Sequence, residues 1–268
     1  MTISRAMPAL VACTRMAIHR TWAYRTRMVL WILRNMLMLF MLRMVWTAVY
    51  GDREIMNDVT LDAMILYVTI AMLQQYLIEP VAMFELDARI QLGTVAGDLI
   101  RPVGFIPQLL AYDIGFLIGR LPLIALVLPM AAIIGSVHLP PTFAATIGFL
   151  VSLVLAYILG LLVWLPVGML GFWTISTAGI RFLLASVMAF VSGQMIPLWF
   201  MPGFLRTSLE WLPFQGMAFA PLSIYVGQVT GFEILRSIGV QIAWIVILSI
   251  AVTKLWNRAR DVITIQGG

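Results

Sequence analysis

The sequence predicts an all-α integral membrane protein of six transmembrane helices, with an N-terminal amphipathic interfacial helix and an extracellular re-entrant helical hairpin between helices five and six. Three observations carry that expectation. Of the 268 residues, 62% are hydrophobic and only 11% charged, with a mean hydropathy of +0.99, whereas a soluble domain carries roughly 25% charged residues. Apolar runs recur at the length of about 20 residues that a hydrocarbon core about 30 Å thick requires. Lys and Arg gather in alternate loops between those runs.

The elements follow in order. Between about residues 8 and 24, Leu10, Val11, Thr14, Ala17, Ile18 and Thr21 recur at helical spacing, while Arg5, Arg15, His19 and Arg20 fall away from that stripe. Residues 1–27 therefore read as a helix lying on the membrane surface with its Arg side chains among headgroups, or as a plain structural anchor. The stretch lacks the short apolar core and small-residue cleavage site of a signal peptide, so it is expected to stay in the mature chain. The first two crossings are expected over about 28–50 and 61–78, separated by a loop with Asp52, Glu54 and Asp58. Residues 79–104 are the most polar interior stretch. A third helix fits 109–134, with Pro122 and Pro129 as kinks that neighbouring helices accommodate.

Pro140 and Pro141 mark the next turn. Residues 143–197 hold a single charge, Arg181, and are divided into a fourth and fifth crossing at the small, polar segment 174–179. From 198 to 231 aromatics, Pro and Gly mix with Arg206 and Glu210, which suits short helices dipping into the interface. The last crossing covers about 234–255, and 257–268 form a tail.

Orientation follows from the cations. With the N-terminus inside, Arg5, Arg15, Arg20, Arg25, Arg27, Arg89, Arg101, Arg181, Lys254, Arg258 and Arg260 are cytoplasmic, against Arg53, Arg206 and the end-of-helix Arg236 outside. That bias predicts an even number of crossings and both termini in the cytoplasm of a multi-pass inner (plasma) membrane protein. The net charge of +5 comes from Arg flanking apolar runs, which points to anionic lipid as partner and away from nucleic acid.

Catalytic and cofactor motifs are missing. Lys254 is the sole lysine and follows Ala251, Val252 and Thr253, so no phosphate-binding loop exists. Cys13 is the sole cysteine, and His19 and His138 are far apart, so neither a disulfide nor a thiolate or zinc-protease site is expected. No internal repeat of the kind that builds secondary transporters is visible. Arg34 and Arg43 lie on the first expected helix, nine residues apart on opposite faces, and Asp113 and Arg120 on the third, seven apart on one face. They are candidates for a translocation path or for polar pairing that fixes helix packing. Gly115 and Gly119 form a GxxxG that permits close helix contact.

In the polar stretch 85–104, Glu85 and Arg89 are spaced to support a helical turn, and Pro102 limits its continuation. Gly93 and Gly97, four apart, present a strip free of side chains. Four features in this order resemble permeases of type-two ABC exporters, particularly the branch that includes the viologen exporters: the basic amphipathic first helix; RIQLGTVAGDLIRPV (89–103); SGQMIPLWFMP (192–202) followed by LPF (212–214) and PLSIYVG (221–227); and the terminal Gln-Gly-Gly. Arg34 and Arg43 are more charge in the first crossing than that family pattern carries.

The resemblance implies a single domain over 1–268, paired with an identical or related second permease above a dimer of ATP-binding cassette ATPases that would hold ATP and Mg. It implies that 85–104 is the coupling segment, with Glu85, Arg89, Gly93, Gly97, Asp98, Leu99, Arg101 and Pro102 as its residues. The alternative for that stretch is a solvated loop. It also implies an external gate at 198–231, with Gln194, Pro197, Pro202, Glu210, Pro213 and Phe214, where simple interfacial anchoring is the alternative. The expected role is a non-catalytic subunit, without cofactors of its own, that exports a hydrophobic or amphipathic drug, peptide or lipid. A secondary-active carrier, a membrane scaffold and an intramembrane enzyme are the competing classes.

Overall fold

The computed structural model describes residues 3–101, 103–135, 137–174 and 176–266; Pro102 and the closing Gly267 and Gly268 lie outside them. The helices are α1 (Ile3–Ala23), α2 (Arg25–Tyr50), then a two-residue hairpin β1 (Ile55–Met56) and β2 (Val59–Thr60), α3 (Leu61–Ile78), α4 (Val81–Gln91), α5 (Val95–Leu99), α6 (Phe105–Gly135), α7 (Phe143–Met169), α8 (Ala178–Val191), α9 (Gly203–Glu210), α10 (Phe219–Tyr225) and α11 (Phe232–Gln266).

Side-chain chemistry starts and stops these helices. Thr60 and Thr142 accept from the N–H groups of Ala63 (3.2 Å) and Ala145 (3.1 Å) at the starts of α3 and α7, as threonine N-caps do. The β1–β2 turn places Asn57 and Asp58 at φ +50° and +62°, a conformation that favours Asn and Asp in two-residue hairpins. α6 runs through both Pro122 and Pro129 without a break.

Among the described residues five helices are long and apolar enough to cross a bilayer: Val29–Tyr50, Leu61–Ile78, Phe105–Ala125, Phe143–Phe172 and Phe232–Arg260. α8, in the place of the expected fifth crossing, has 14 residues and spans only about 21 Å at 1.5 Å per residue. Its flanks reach further. The Thr177 N–H before it bonds Asp87 of α4, the Gly193 carbonyl after it accepts from Tyr67, and Trp199 accepts from Asn57 at the β1–β2 turn.

α3 is the central helix, with 61% of its apolar window buried against 11% for α11. Near the β1–β2 end its Tyr67, Leu66 and Met64 pack with Tyr50, Leu198 and Phe219; near the opposite end Leu86, Leu109, Leu165 and Met169 form a second core. Because lipid tails are as apolar as these side chains, close packing and hydrogen bonds hold the bundle rather than escape from water.

α1 packs along α6, with Cys13, Ala17 and Thr21 buried; of the stripe read from the sequence, Leu10, Thr14 and Ile18 are half-buried as well and only Val11, 56% exposed, faces away. A Cβ on Gly115 would come within 2.4 Å of the Thr14 carbonyl oxygen, and one on Gly119 within 2.9 Å of Thr21. The GxxxG is therefore the groove that receives α1. Small side chains turn inward because the backbones nearly touch, and the larger Met7, Val11, Met16 and Trp22 stay outside.

Candidate functional site

Between α3 and α4 the helix breaks at Glu79 and Pro80, which leaves carbonyls at the end of α3 and N–H groups at the start of α4 without helical partners. α6 supplies both. Arg120 donates to the carbonyls of Tyr76 (2.8 Å) and Glu79 (3.1 Å), its guanidinium 5.3 Å from the Tyr76 ring centroid, and Asp113 accepts from the Ala82 N–H (2.8 Å) and the Tyr157 hydroxyl (2.9 Å). Cation at a C-terminus and anion at an N-terminus also match the helix dipoles. The two residues share a face as expected, and they are joined through a broken helix rather than to each other.

The other intramembrane cations differ. Arg43 bonds the Ile134 carbonyl at the end of α6, while Arg34 is exposed, 5.7 Å from the Trp31 ring centroid.

α4 ends where Gly93 takes φ +70°, a left-handed conformation that suits glycine. Because that turn breaks the helix, Gly93 and Gly97 do not form the continuous strip that their spacing suggested; a Cβ on either would meet nothing within 4 Å. The short α5 folds back and its polar groups turn inward. Asp98, 3% exposed, pairs with Arg89 and with Arg101 (3.1 Å). Gln108 donates to the carbonyls of Asp98 (2.9 Å) and Val103 (2.8 Å), and Arg101 reaches the Tyr112 hydroxyl at 3.3 Å. Burial pulls the Arg89 guanidinium below its ordinary pKa, opposed by the neighbouring Tyr112 and Glu85; arginine nevertheless stays charged.

Glu85 does not pair with Arg89, the partner its spacing suggested. It meets Arg20 of α1 at 2.7 Å. Leu99 is half-buried against the lower core, while Leu92 and Ile100 are 76% and 86% exposed. The tip is thus held by charges from within and presents apolar side chains outward.

Sequence reasoning missed Asp87, Gln108, Tyr112 and Gln74. Asp87 accepts from the Thr177 N–H at 3.3 Å and faces Arg181 at 3.6 Å, fixing the start of α8 against α4. Gln74, deep in α3, donates to the Met217 carbonyl at 2.7 Å, and its Oε1 has no partner among the described residues; a buried acceptor left so costs about 1–3 kcal/mol.

The proposed gate residues are spread over the loops between α8 and α10. Pro197 and Pro202 precede a short 3-10 turn (Leu198–Phe200) and α9, where a missing N–H is harmless. Glu210 pairs with Arg206 at 2.8 Å. Pro213 is buried and Phe214 joins the lower core, before the 3-10 turn Gln215–Met217. Gln241 of α11 holds that turn through the Gly216 carbonyl (2.8 Å) and also bonds Ser152 of α7. Gln194 lies apart from these, beside Gln74 and Gln75 on the wall of a cavity. Among the described residues no group of His, Cys, Asp and Glu converges as a metal site would require.

No curated protein matches the chain in sequence. The model of a family described as ABC-2 family transporter protein matches residues 36–267, which takes in the larger part of α2, every later crossing helix, the α4–α5 tip and the loops after α8. With that match over most of its length and its bundle of apolar helices, the chain belongs to the ABC-2 transporter family, whose members are the membrane components of ATP-binding cassette transporters.

Proposed function

We propose that this chain is the permease subunit of an exporter that moves a hydrophobic or amphipathic substrate out of the cytoplasm, driven by ATP hydrolysed with Mg on a separate ATPase dimer. The observation that carries the reading is the α4–α5 tip. An element braced by Arg89, Asp98, Arg101 and Gln108, tied to α1 through Glu85, and exposing Leu92 and Ile100 is built to receive force from a docked partner and pass it to α1, α4 and α6.

In this reading the tip is cytoplasmic, as are both termini, and the β1–β2 turn is outside, in agreement with the distribution of Lys and Arg. Residues 177–197 make the fifth of six crossings, with α8 as its core. The loops from 198 to 231 form a re-entrant external gate: Trp199 meets Asn57 at the outer end, Met217 meets Gln74 inside the bundle, and Gln228 meets Asp58 at the outer end again. A second copy or a related permease completes the translocation path, and anionic lipid of the inner membrane surrounds the basic end.

The test is reconstitution. The purified chain alone is expected to hydrolyse no ATP, and its co-purified complex with a partner ATP-binding cassette ATPase is expected to couple hydrolysis to export in vesicles. Transport driven by an ion gradient without any ATPase contradicts the reading.

A further inference from the structure

Two ion pairs at the end of the bundle away from the α4–α5 tip stay on their own helices. Arg206 and Glu210 (2.8 Å) lie one turn apart on α9, and Glu233 and Arg236 (3.3 Å) on the first turn of α11. Among the described residues no ion pair joins α9 to α11. Both pairs nevertheless line one cavity of about 290 Å³, walled also by Trp199, the Gln215–Met217 turn and α10.

Gln215 is on the same wall. It is only 4% exposed, its amide makes no hydrogen bond among the described residues, and unlike Gln74 it is not sealed off from the cavity. An amide this deep takes its partner from whatever fills the space. Arg206 bonds Glu210 through Nε alone, so its terminal amino groups are free to donate as well.

The charges on the wall are two guanidiniums and two carboxylates, which sum to zero. A simple anion would face Glu210 and Glu233, and a simple cation would face Arg206 and Arg236. A ligand carrying both charges satisfies both, and among anionic groups phosphate matches the guanidinium fork. On or beside the same helices Phe204, Trp211, Phe232 and Leu235 are 78%, 57%, 78% and 63% exposed, apolar surface that acyl chains cover at a membrane interface.

We propose that this cavity binds the headgroup of an outer-leaflet phospholipid bearing a phosphate and a primary ammonium, and that the bound lipid ties α9 to α11. Arg206, Arg236 and the Gln215 amide N–H hold the phosphate, and Glu233 takes the ammonium. Pockets for whole small molecules run to roughly 300–1,000 Å³, so this one admits the headgroup and leaves the acyl chains in the bilayer. The leaflet rests on the orientation proposed above.

The experiment is native mass spectrometry of the full chain in detergent, titrated with phosphatidylethanolamine, phosphatidylcholine and phosphatidylglycerol of the same acyl chains. One phosphatidylethanolamine is expected to bind more tightly than further copies, and more tightly than phosphatidylcholine, whose ammonium has no N–H. Arg206→Gln should weaken it about tenfold; Glu233→Gln should weaken it about fivefold while leaving phosphatidylglycerol within about twofold. Glu54→Gln, in the exposed loop after α2, should change neither. Gln215→Leu should also weaken phosphatidylethanolamine; if it does not fold, the half-exposed Arg206→Gln and the exposed Glu233→Gln decide the matter. Equal phosphatidylethanolamine binding by the parent and Arg206→Gln overturns the proposal, as does phosphatidylcholine binding just as tightly. Displacement of the lipid by equimolar glycerophosphoethanolamine, which has no acyl chains, contradicts the lipid assignment. ATP-driven export by a complex that holds no phosphatidylethanolamine would leave the transporter reading standing and remove only this site.

Discussion

Two places in this chain interrupt a helix with a conformationally special residue and surround it with charge, yet they do opposite things. At Glu79 and Pro80 the orphaned carbonyls and N–H group are taken by Arg120 and Asp113 of α6, and the joint is sealed inside the bundle. At Gly93 the chain also breaks, but Asp98, Arg89 and Gln108 turn their polar groups inward and leave Leu92 and Ile100 outside. The first break satisfies itself; the second is rigid on one side and unfinished on the other. Intramembrane charge therefore does not mark function by its presence. What marks it is a face or a polar group that the chain leaves without a partner.

The largest expected effect is at the sealed joint. Arg120→Met removes donors from two buried carbonyls and the cation beside Asp113, at a cost of about 3 kcal/mol. A clearly lowered unfolding midpoint in detergent should report it; a variant that melts like the parent breaks the comparison, because the joint would not depend on α6. Next is the brace of the tip. Asp98→Asn should cost about 1–3 kcal/mol locally, seen as faster proteolysis around α5 and weaker stimulation of the ATPase, with insertion of the spanning helices unchanged. If proteolysis around α5 keeps its parental rate, the buried charges are not what hold the tip.

Gly93→Ala comes third. Forcing a Cβ into φ +70° costs about 1 kcal/mol, and the open space around it adds no clash, so a small loss of stability with native assembly is expected. Gly93→Leu, equal in strain but bulkier on the open side, sharpens the test: it should lose more affinity for the ATPase than Gly93→Ala does. Smallest in stability is Ile100→Glu, within about 0.5 kcal/mol of the parent as for most surface changes, yet it should weaken ATPase binding about tenfold. Unchanged ATPase binding by Ile100→Glu would make the exposed apolar tip irrelevant to docking.

The contrast between the two breaks was only half legible in the sequence. Apolar runs such as 143–172 announce crossings because bilayer thickness sets their length, and the small, polar residues of 174–179 announce the turn before α8. The roles of charge were hidden, because each depends on which backbone lies opposite. Glu85 and Arg89 satisfy the helical spacing rule, but Glu85 bonds Arg20, 65 positions away. On α1 the stripe read from the sequence places Ala17 and Thr21 inward, where they meet Gly115 and Gly119, and misplaces only Val11, because a groove made by two glycines selects the facing side chains by size as well as by hydropathy. Gln74 and Gln108 gave no local signal at all, since an amide inside an apolar run shows its importance only through the carbonyls that surround it.

The most direct test of the central claim is site-specific cross-linking in native membranes. Ile100→Cys and Asn57→Cys, each in a Cys13→Ser background, are treated with a short thiol-reactive photo-cross-linker after co-expression with the ATPase. The account predicts an adduct with the ATPase from Ile100→Cys and none from Asn57→Cys. An adduct from Asn57→Cys, with Ile100→Cys modified but unlinked, would place the ATPase at the opposite end and contradict the coupling role of the α4–α5 tip.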